Sequence, residues 1–178
     1  GLAELAVGDT ASAAAHLADA LAALGEMGFR EPAVWRIEGD AIEAAVASGE
    51  VDFGLNFIGG QETNIEFKLL LQDRFVAACR RDHPLARKRK ATWSDLAKYD
   101  YISVSKSSGN RLLLDQALAH VVGGPQSIYE AQHVTTMIGM VEAGLGVAAV
   151  PSLAMPAADH PLLVTVPLTD PVVTRRVG

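Results

Sequence analysis

The chain has little cysteine, few aromatic residues and no long hydrophobic run, and each shortage closes off a class of protein. Its single cysteine, Cys79, cannot form an internal disulfide, which excludes a disulfide-stapled scaffold and fits a reducing compartment. No apolar stretch reaches the roughly 18 residues of a membrane span, so no membrane partner is expected. The residues from Gly1 onward show no basic, apolar and cleavage-site leader, and a cytoplasmic location is expected. Positive charge is in deficit: 15 Lys and Arg against 21 Asp and Glu give a net charge of −6. Binding to a nucleic-acid backbone requires neutralising many phosphates, so this chain by itself is a poor candidate for it. There is no phosphate-binding or dinucleotide glycine fingerprint and no G-x-S-x-G. The histidines and the cysteine show no metal-ligand spacing, with His16, His120 and His160 scattered along the chain, so neither a cofactor nor a metal is expected.

What is present is a sizeable core: 49% of the 178 residues are hydrophobic, enough for one domain or two small lobes. The periodicity alternates between strand and helix. Leu2 to Val7 reads as a strand, and Ser12 can cap a helix carrying Leu17, Leu21 and Leu24 up to Gly25. Val34 to Ile37 is a second strand, Asp40 opens a short helix ended by Gly49, and Val51 to Phe57 returns as a third strand. This βαβαβ order implies parallel pairing. Ile65 to Leu71 and Phe75 to Cys79 are extended, and Tyr101 to Val104 is a strand followed by a helix from about Ser108 to Gly123. Ser127 to Glu130 comes next. Thr135 or Thr136 then caps a helix with Met137, Ile138, Met140 and Val141 inward, Gly144 stops it, and Leu145 to Val150 is a buried strand closed by Pro151. Leu162 to Val166 and Val172 to Val177 are the last strands.

Several of these junctions resemble those of one family. The run Gln132 to Pro151, QHVTTMIGMVEAGLGVAAVP, is similar to the stretch in the effector-binding domain of LysR-type transcriptional regulators where a polar helix start meets the ligand. Ala45 to Gly54 matches its V-x-x-G-x-x-D-x-G junction, and Leu71 to Ala86 its strand followed by H-P-L-A. Pro167 to Pro171 and Arg176 extend the likeness over nearly the whole chain. The resemblance implies an α/β, two-lobe fold of the periplasmic-binding-protein type (type 2), each lobe a mostly parallel sheet flanked by helices, with two crossover strands. Residues 1–72 plus 150–178 would form lobe I and 73–149 lobe II. The family's winged helix-turn-helix DNA-binding domain would precede Gly1, and ligand would sit between the lobes.

In open α/β sheets, ligands gather where strand carboxyl ends meet helix amino ends. Four loops of that kind are rich in small polar residues: Asp9 to Ser12, Gly39-Asp40, Ser103 to Asn110 and His133 to Thr136. Helix amino termini offer free N–H groups and partial positive charge, which suits a small carboxylate; taken singly, Ser12, Ser108 and Thr135 also read as ordinary N-caps. Carried over from the family, effector contacts fall on Thr10, Ser12, Gly39, Asp40, Asn56, Phe57, Ser103, Ser105, Ser107, Val134 and Thr135. Asp40 departs from the family pattern. Its carboxylate would repel an anion, so either it turns outward or the ligand also carries an amine.

Two competing patterns read more simply as structure. Cys79 and His83 could pair as a cysteine nucleophile and base, but a thiol ending an apolar strand behaves as a small hydrophobe, and His83 before Pro84 suits a turn. Arg80, Arg81, Arg87, Lys88, Arg89 and Lys90 form a basic run, yet no aromatic residues interleave it, so a solvated loop between lobes is the better reading. The expected function is therefore a sensor of a small organic acid or amino-acid-like effector, not an enzyme, with DNA reached only through the missing domain. A transporter's solute-binding protein, or less readily an enzyme of related two-lobe fold, is the alternative. A homodimer is also implied, or a tetramer for the full-length protein. It would pair the helix of Leu17, Leu21 and Leu24 with the partner's helix of Leu113, Leu114 and Leu118.

Overall fold

The computed structural model describes residues 39–57 and 65–178. The strands expected at Leu2 to Val7 and Val34 to Ile37, and the helix between them, lie outside these residues. Contacts divide the chain into two compact units, one of residues 1–72 and 175–178, the other of residues 73–174. The contact division falls at Thr174, while the sequence reading placed the second boundary of lobe II at residue 150. The physical reason is pairing: the strands on either side of residue 160 both bond to the same central strand.

In the first unit, helix α1 (Gly39–Ala47) begins one residue before Asp40. Val51 to Phe57 does not form the expected regular strand among the described residues. Only Phe57 bridges, antiparallel to Val177, and Asn56 exchanges both backbone hydrogen bonds with Gly178. The Arg175 guanidinium lies 5.2 Å from the centre of the Phe57 ring.

The second unit is built on β1 (Leu71–Arg80), β2 (Ala91–Thr92), β3 (Tyr101–Val104), β4 (Ser127–Ala131), β5 (Val147–Pro151) and β6 (Leu163–Thr169), in the order β2-β6-β1-β5-β3-β4. A further strand, β7 (Thr174–Val177), pairs with β1 outside that path. The sheet is mixed. β3 runs parallel to both β4 and β5, as the helical connections require, whereas β1 is antiparallel to β5 and β6. Having partners on both sides explains why β1 runs ten residues, longer than the apolar run Phe75 to Cys79 suggests.

Strand alternation sends side chains to two cores. Phe75, Ala77, Cys79, Val147 and Ala149 face one layer, with Trp93, Leu96 and Leu114. Val76, Ala78, Ile102, Ala148 and Val150 face the other, with Met137, Ile138 and Val141. Helix α2 (Trp93–Leu96) and helix α3 (Gly109–Leu118) thus cover one face, and helix α4 (Val134–Glu142) covers the opposite one. The directly opposed pairs Ala77–Ala149 and Ala78–Ala148 keep the middle of the sheet thin on both faces. On α3, Leu114 is buried and Leu113 and Leu118 pack on the core, so Leu112 is the leucine that points outward. This corrects the helix face assigned to a dimer contact from the sequence.

Candidate functional site

The loops leaving β3 and β4 lie side by side, because these strands are parallel neighbours, and each leads into a helix on a different face of the sheet. In open α/β sheets such a divergence at the strands' carboxyl ends is where ligands bind. The β3 loop stays anchored through Ser105, whose N–H donates to the Ala131 carbonyl at 2.9 Å. The Ser105 and Ser107 hydroxyls lie 3.0 Å apart, and Ser108 N–H closes the turn on the Ser105 carbonyl at 2.9 Å.

Both helix starts lack a side-chain cap. Ser108 is the N-cap of α3 in backbone terms, with φ −78° and ψ 132°, but its hydroxyl makes no capping bond. In α4 the N-cap is His133, not Thr135 or Thr136, and it too makes no side-chain cap bond. The first intrahelical bond runs from Met137 N–H to the His133 carbonyl. The N–H groups of Val134, Thr135 and Thr136 therefore have no acceptor within the helix. Thr135 and Thr136 are exposed and Val134 is half-buried. A side chain or a bound anion is what ordinarily satisfies such donors.

Of the sequence-derived contacts, Ser105, Ser107, Val134 and Thr135 are brought to this one end of the second unit. Ser103 is not presented there: it is 4% exposed, accepts from Arg111 Nη1 at 3.0 Å and shares a 2.8 Å hydrogen bond with Ser127. Its alternation with Ile102 turns it beneath α3, where Arg111 also pairs with Asp115 and Glu130. Gly39 and Asp40 open α1 in the first unit, and Asn56 holds the Phe57 N–H on its Oδ1 at 2.8 Å. Thr10 and Ser12 lie outside the described residues. Sequence reasoning passed over Lys106, an exposed cation at the tip of the β3 loop; its place between Ser105 and Ser107 was the available signal.

The structural reading of Cys79 and His83 holds, whereas the basic run, expected as a loop between lobes, lies within the second unit. Cys79 is fully buried, and burial pushes its thiol up to about 11, so it stays protonated. His83 takes the extended conformation expected before proline and accepts the Leu85 N–H on Nδ1 at 3.1 Å. In the basic run, Arg80 pairs with Asp82, Arg81 donates to the Ala158 and His160 carbonyls, and Lys88 pairs with Asp95. Among the described residues no group of His, Cys, Asp or Glu could hold a metal ion, and no helix is long and apolar enough to cross a membrane.

The chain passes twice between the two units, and solved structures with a periplasmic-binding-protein-like fold are similar to it. Reduced OxyR superposes with a TM-score of 0.65 at 24% identity, covering 80% of this chain and 66% of that one. The effector-binding domain of QuiR in complex with shikimate gives 0.64 at 24%, covering 79% and 68%. That of BenM with its effector benzoate gives 0.62 at 24%, covering 80% and 67%. The chain belongs to the LysR substrate binding domain family, which matches residues 4–178. Over 134 residues it is 45% identical to the uncharacterized HTH-type transcriptional regulator YbhD of Escherichia coli (strain K12), a match covering 75% of this chain and 42% of that protein. Over 108 residues it is 31% identical to the HTH-type transcriptional regulator AlsR of Bacillus subtilis (strain 168), covering 60% and 36%. The chain thus spans less than half the length of these curated relatives.

Proposed function

We propose that this chain is the sensor part of a LysR-type transcriptional regulator and that it takes a small anionic metabolite on the crevice at the carboxyl ends of β3 and β4. The observation that carries the reading is the pair of helix starts, α3 and α4, that converge there without a side-chain cap on either. Free N–H groups at Val134 and Thr135, the Ser105 and Ser107 hydroxyls and the Lys106 ammonium supply donors and positive potential. Among the described residues of these two loops, Ser103 through Asn110 and Gln132 through Thr136, there is no carboxylate to oppose an anion. Shikimate and benzoate, which QuiR and BenM hold, are both carboxylates.

In the whole protein, effector binding controls DNA binding by a winged helix-turn-helix domain outside this chain, in the cytoplasm, and the chain itself catalyses nothing. The regulator works as a homodimer. Support comes from α3 and from β4, which among the described residues is an edge strand paired with β3 alone; together they expose Leu112, Ile128 and Tyr129.

A thermal-shift screen of organic acids and amino acids against the protein identifies the effector, because a ligand that binds only the native state raises the melting temperature. Calorimetry with the best ligand should then show Thr135→Ala losing about 1 kcal/mol or more of binding, the worth of a hydrogen bond to a charged group. Unchanged affinity in that variant, with a tight ligand in hand, removes the Thr135 hydroxyl from the site.

A further inference from the structure

The opposite end of the second unit carries a groove unrelated to the crevice above. β1 ends there while β3 and β5 begin, and between them lies a cavity of about 380 Å³. That volume is within the usual range for small-molecule sites.

Glycines open its floor. Gly146 carries no side chain because a Cβ would collide with the Asp100 carbonyl, and Gly144 leaves Arg80 as its nearest neighbour. One wall is aromatic, with the His83 and Tyr99 rings edge to face at 4.5 Å and 71°. Exposed Leu145 adds an apolar rim.

The polar lining is uneven in charge. Arg80 is fully engaged, holding Asp82 through both Nε and Nη2 at 3.1 Å and donating to the Glu142 carbonyl at 2.9 Å. Asp100 is exposed, and its carboxylate has no hydrogen-bond or ion-pair partner among the described residues. Burial holds the His83 imidazole below its ordinary pKa, so it is neutral near pH 7, and with Nδ1 accepting from Leu85 its proton sits on Nε2. With Arg80 balanced by Asp82, the groove keeps the negative charge of Asp100.

We propose that this groove is a second small-molecule site, selective for an organic cation with a short apolar body, such as a primary ammonium. The Asp100 carboxylate takes the ammonium, the Tyr99 and His83 rings offer π density within reach of it, and Leu145 covers the apolar part. Arg80, which lines the groove, also holds the last carbonyl of α4.

Calorimetry of the protein with benzylamine, and with benzyl alcohol as the uncharged control, tests the assignment. Benzylammonium should bind saturably at millimolar concentration and benzyl alcohol should not. Asp100→Asn should weaken benzylammonium by about tenfold or more, because a charge-assisted hydrogen bond is removed. Thr135→Ala, on the other end of the unit, should leave it unchanged. The Asp100 carbonyl that receives Val147 N–H at 2.9 Å is untouched by the Asn change, and a normal melting curve confirms the fold of that variant. Absence of saturable binding, equal affinity for benzyl alcohol, or affinity indifferent to Asp100→Asn overturns the proposal. None of these outcomes depends on the anionic effector, so the two sites stand or fall separately.

Discussion

Gly144 and Gly146 are two residues apart and obey different constraints. Gly144 follows α4 at φ +84°, and its N–H bonds the Val141 carbonyl at 3.0 Å while Leu145 N–H bonds Met140 at 3.1 Å, the double closure of a Schellman end. A Cβ there meets nothing closer than Arg80 Cδ at 3.6 Å, so Gly144→Ala costs about 1–2 kcal/mol in left-handed strain alone. At Gly146 the obstacle is backbone, the Asp100 carbonyl, which cannot rotate away. Gly146→Ala should cost more, about 2–3 kcal/mol, because the start of β5 must shift from β3. Melting curves should rank wild type above Gly144→Ala above Gly146→Ala, and the reverse order of the two variants refutes this account. The A-G-L-G pattern in the sequence pointed to the first role, the helix stop at Gly144. It could not say that the second glycine guards an approach to the residue before β3, a contact 46 positions away along the chain.

At the scale of elements, α2 shows how four residues hold a helix. Thr92 Oγ1 accepts Asp95 N–H at 3.2 Å, and Asp95 Oδ2 accepts Thr92 N–H at 3.1 Å, a complete capping box. Lys88 at 2.7 Å and Lys98 at 3.0 Å add ion pairs to the same carboxylate. The hydrogen bond from Lys88, then that from Thr92, hold Asp95 well below the usual carboxylate range. A depressed folded pKa contributes stability that is present above the unfolded value and lost as pH falls toward the folded one. Asp95→Ala should therefore lower stability by about 1 kcal/mol at pH 7. Its deficit against wild type should shrink as pH drops below about 4, where the unfolded chain begins to take up the proton. Thermal melts across pH 3 to 7 read this directly, and a gap independent of pH rules out the ion pairs. The T-x-x-D spacing was visible in the sequence; Lys88 was visible only as one of a basic run, because its partnership depends on how the loop after β1 folds back.

For the whole molecule, the proposed assembly rests on the edge that β4 leaves open among the described residues. Leu112 is 56% exposed and Ile128 59%, large apolar side chains on α3 and on the strand at the edge of the described sheet. If a second copy covers them, Leu112→Glu or Ile128→Glu places one charge per chain at a two-fold contact and should yield monomers by light scattering at tens of micromolar. Leu113→Glu should instead destabilise the fold, since Leu113 packs on the core. A wild type already monomeric, or a dimer indifferent to both outward changes, ends the proposal.

Local physics made much of this protein readable from its sequence. Apolar periodicity located β3, α3, β4, α4 and β5 to within a few residues, because each buries its hydrophobic positions at its own spacing and is punctuated by glycine, proline or a small polar residue. The His83 turn and the inert Cys79 were legible for the same reason: each is dictated by its immediate neighbours. Tertiary structure alone decided the rest. The antiparallel pairing of β1 with β5 and β6, and hence the unit boundary at Thr174, arises from strands about 70 to 90 residues apart finding one another. Ser103 reads as a surface hydroxyl until β3's alternation and the reach of Arg111 turn it beneath α3. Whether Leu112 or Leu113 faces solvent depends on the angle at which α3 meets the sheet, and three consecutive leucines carry no record of that angle.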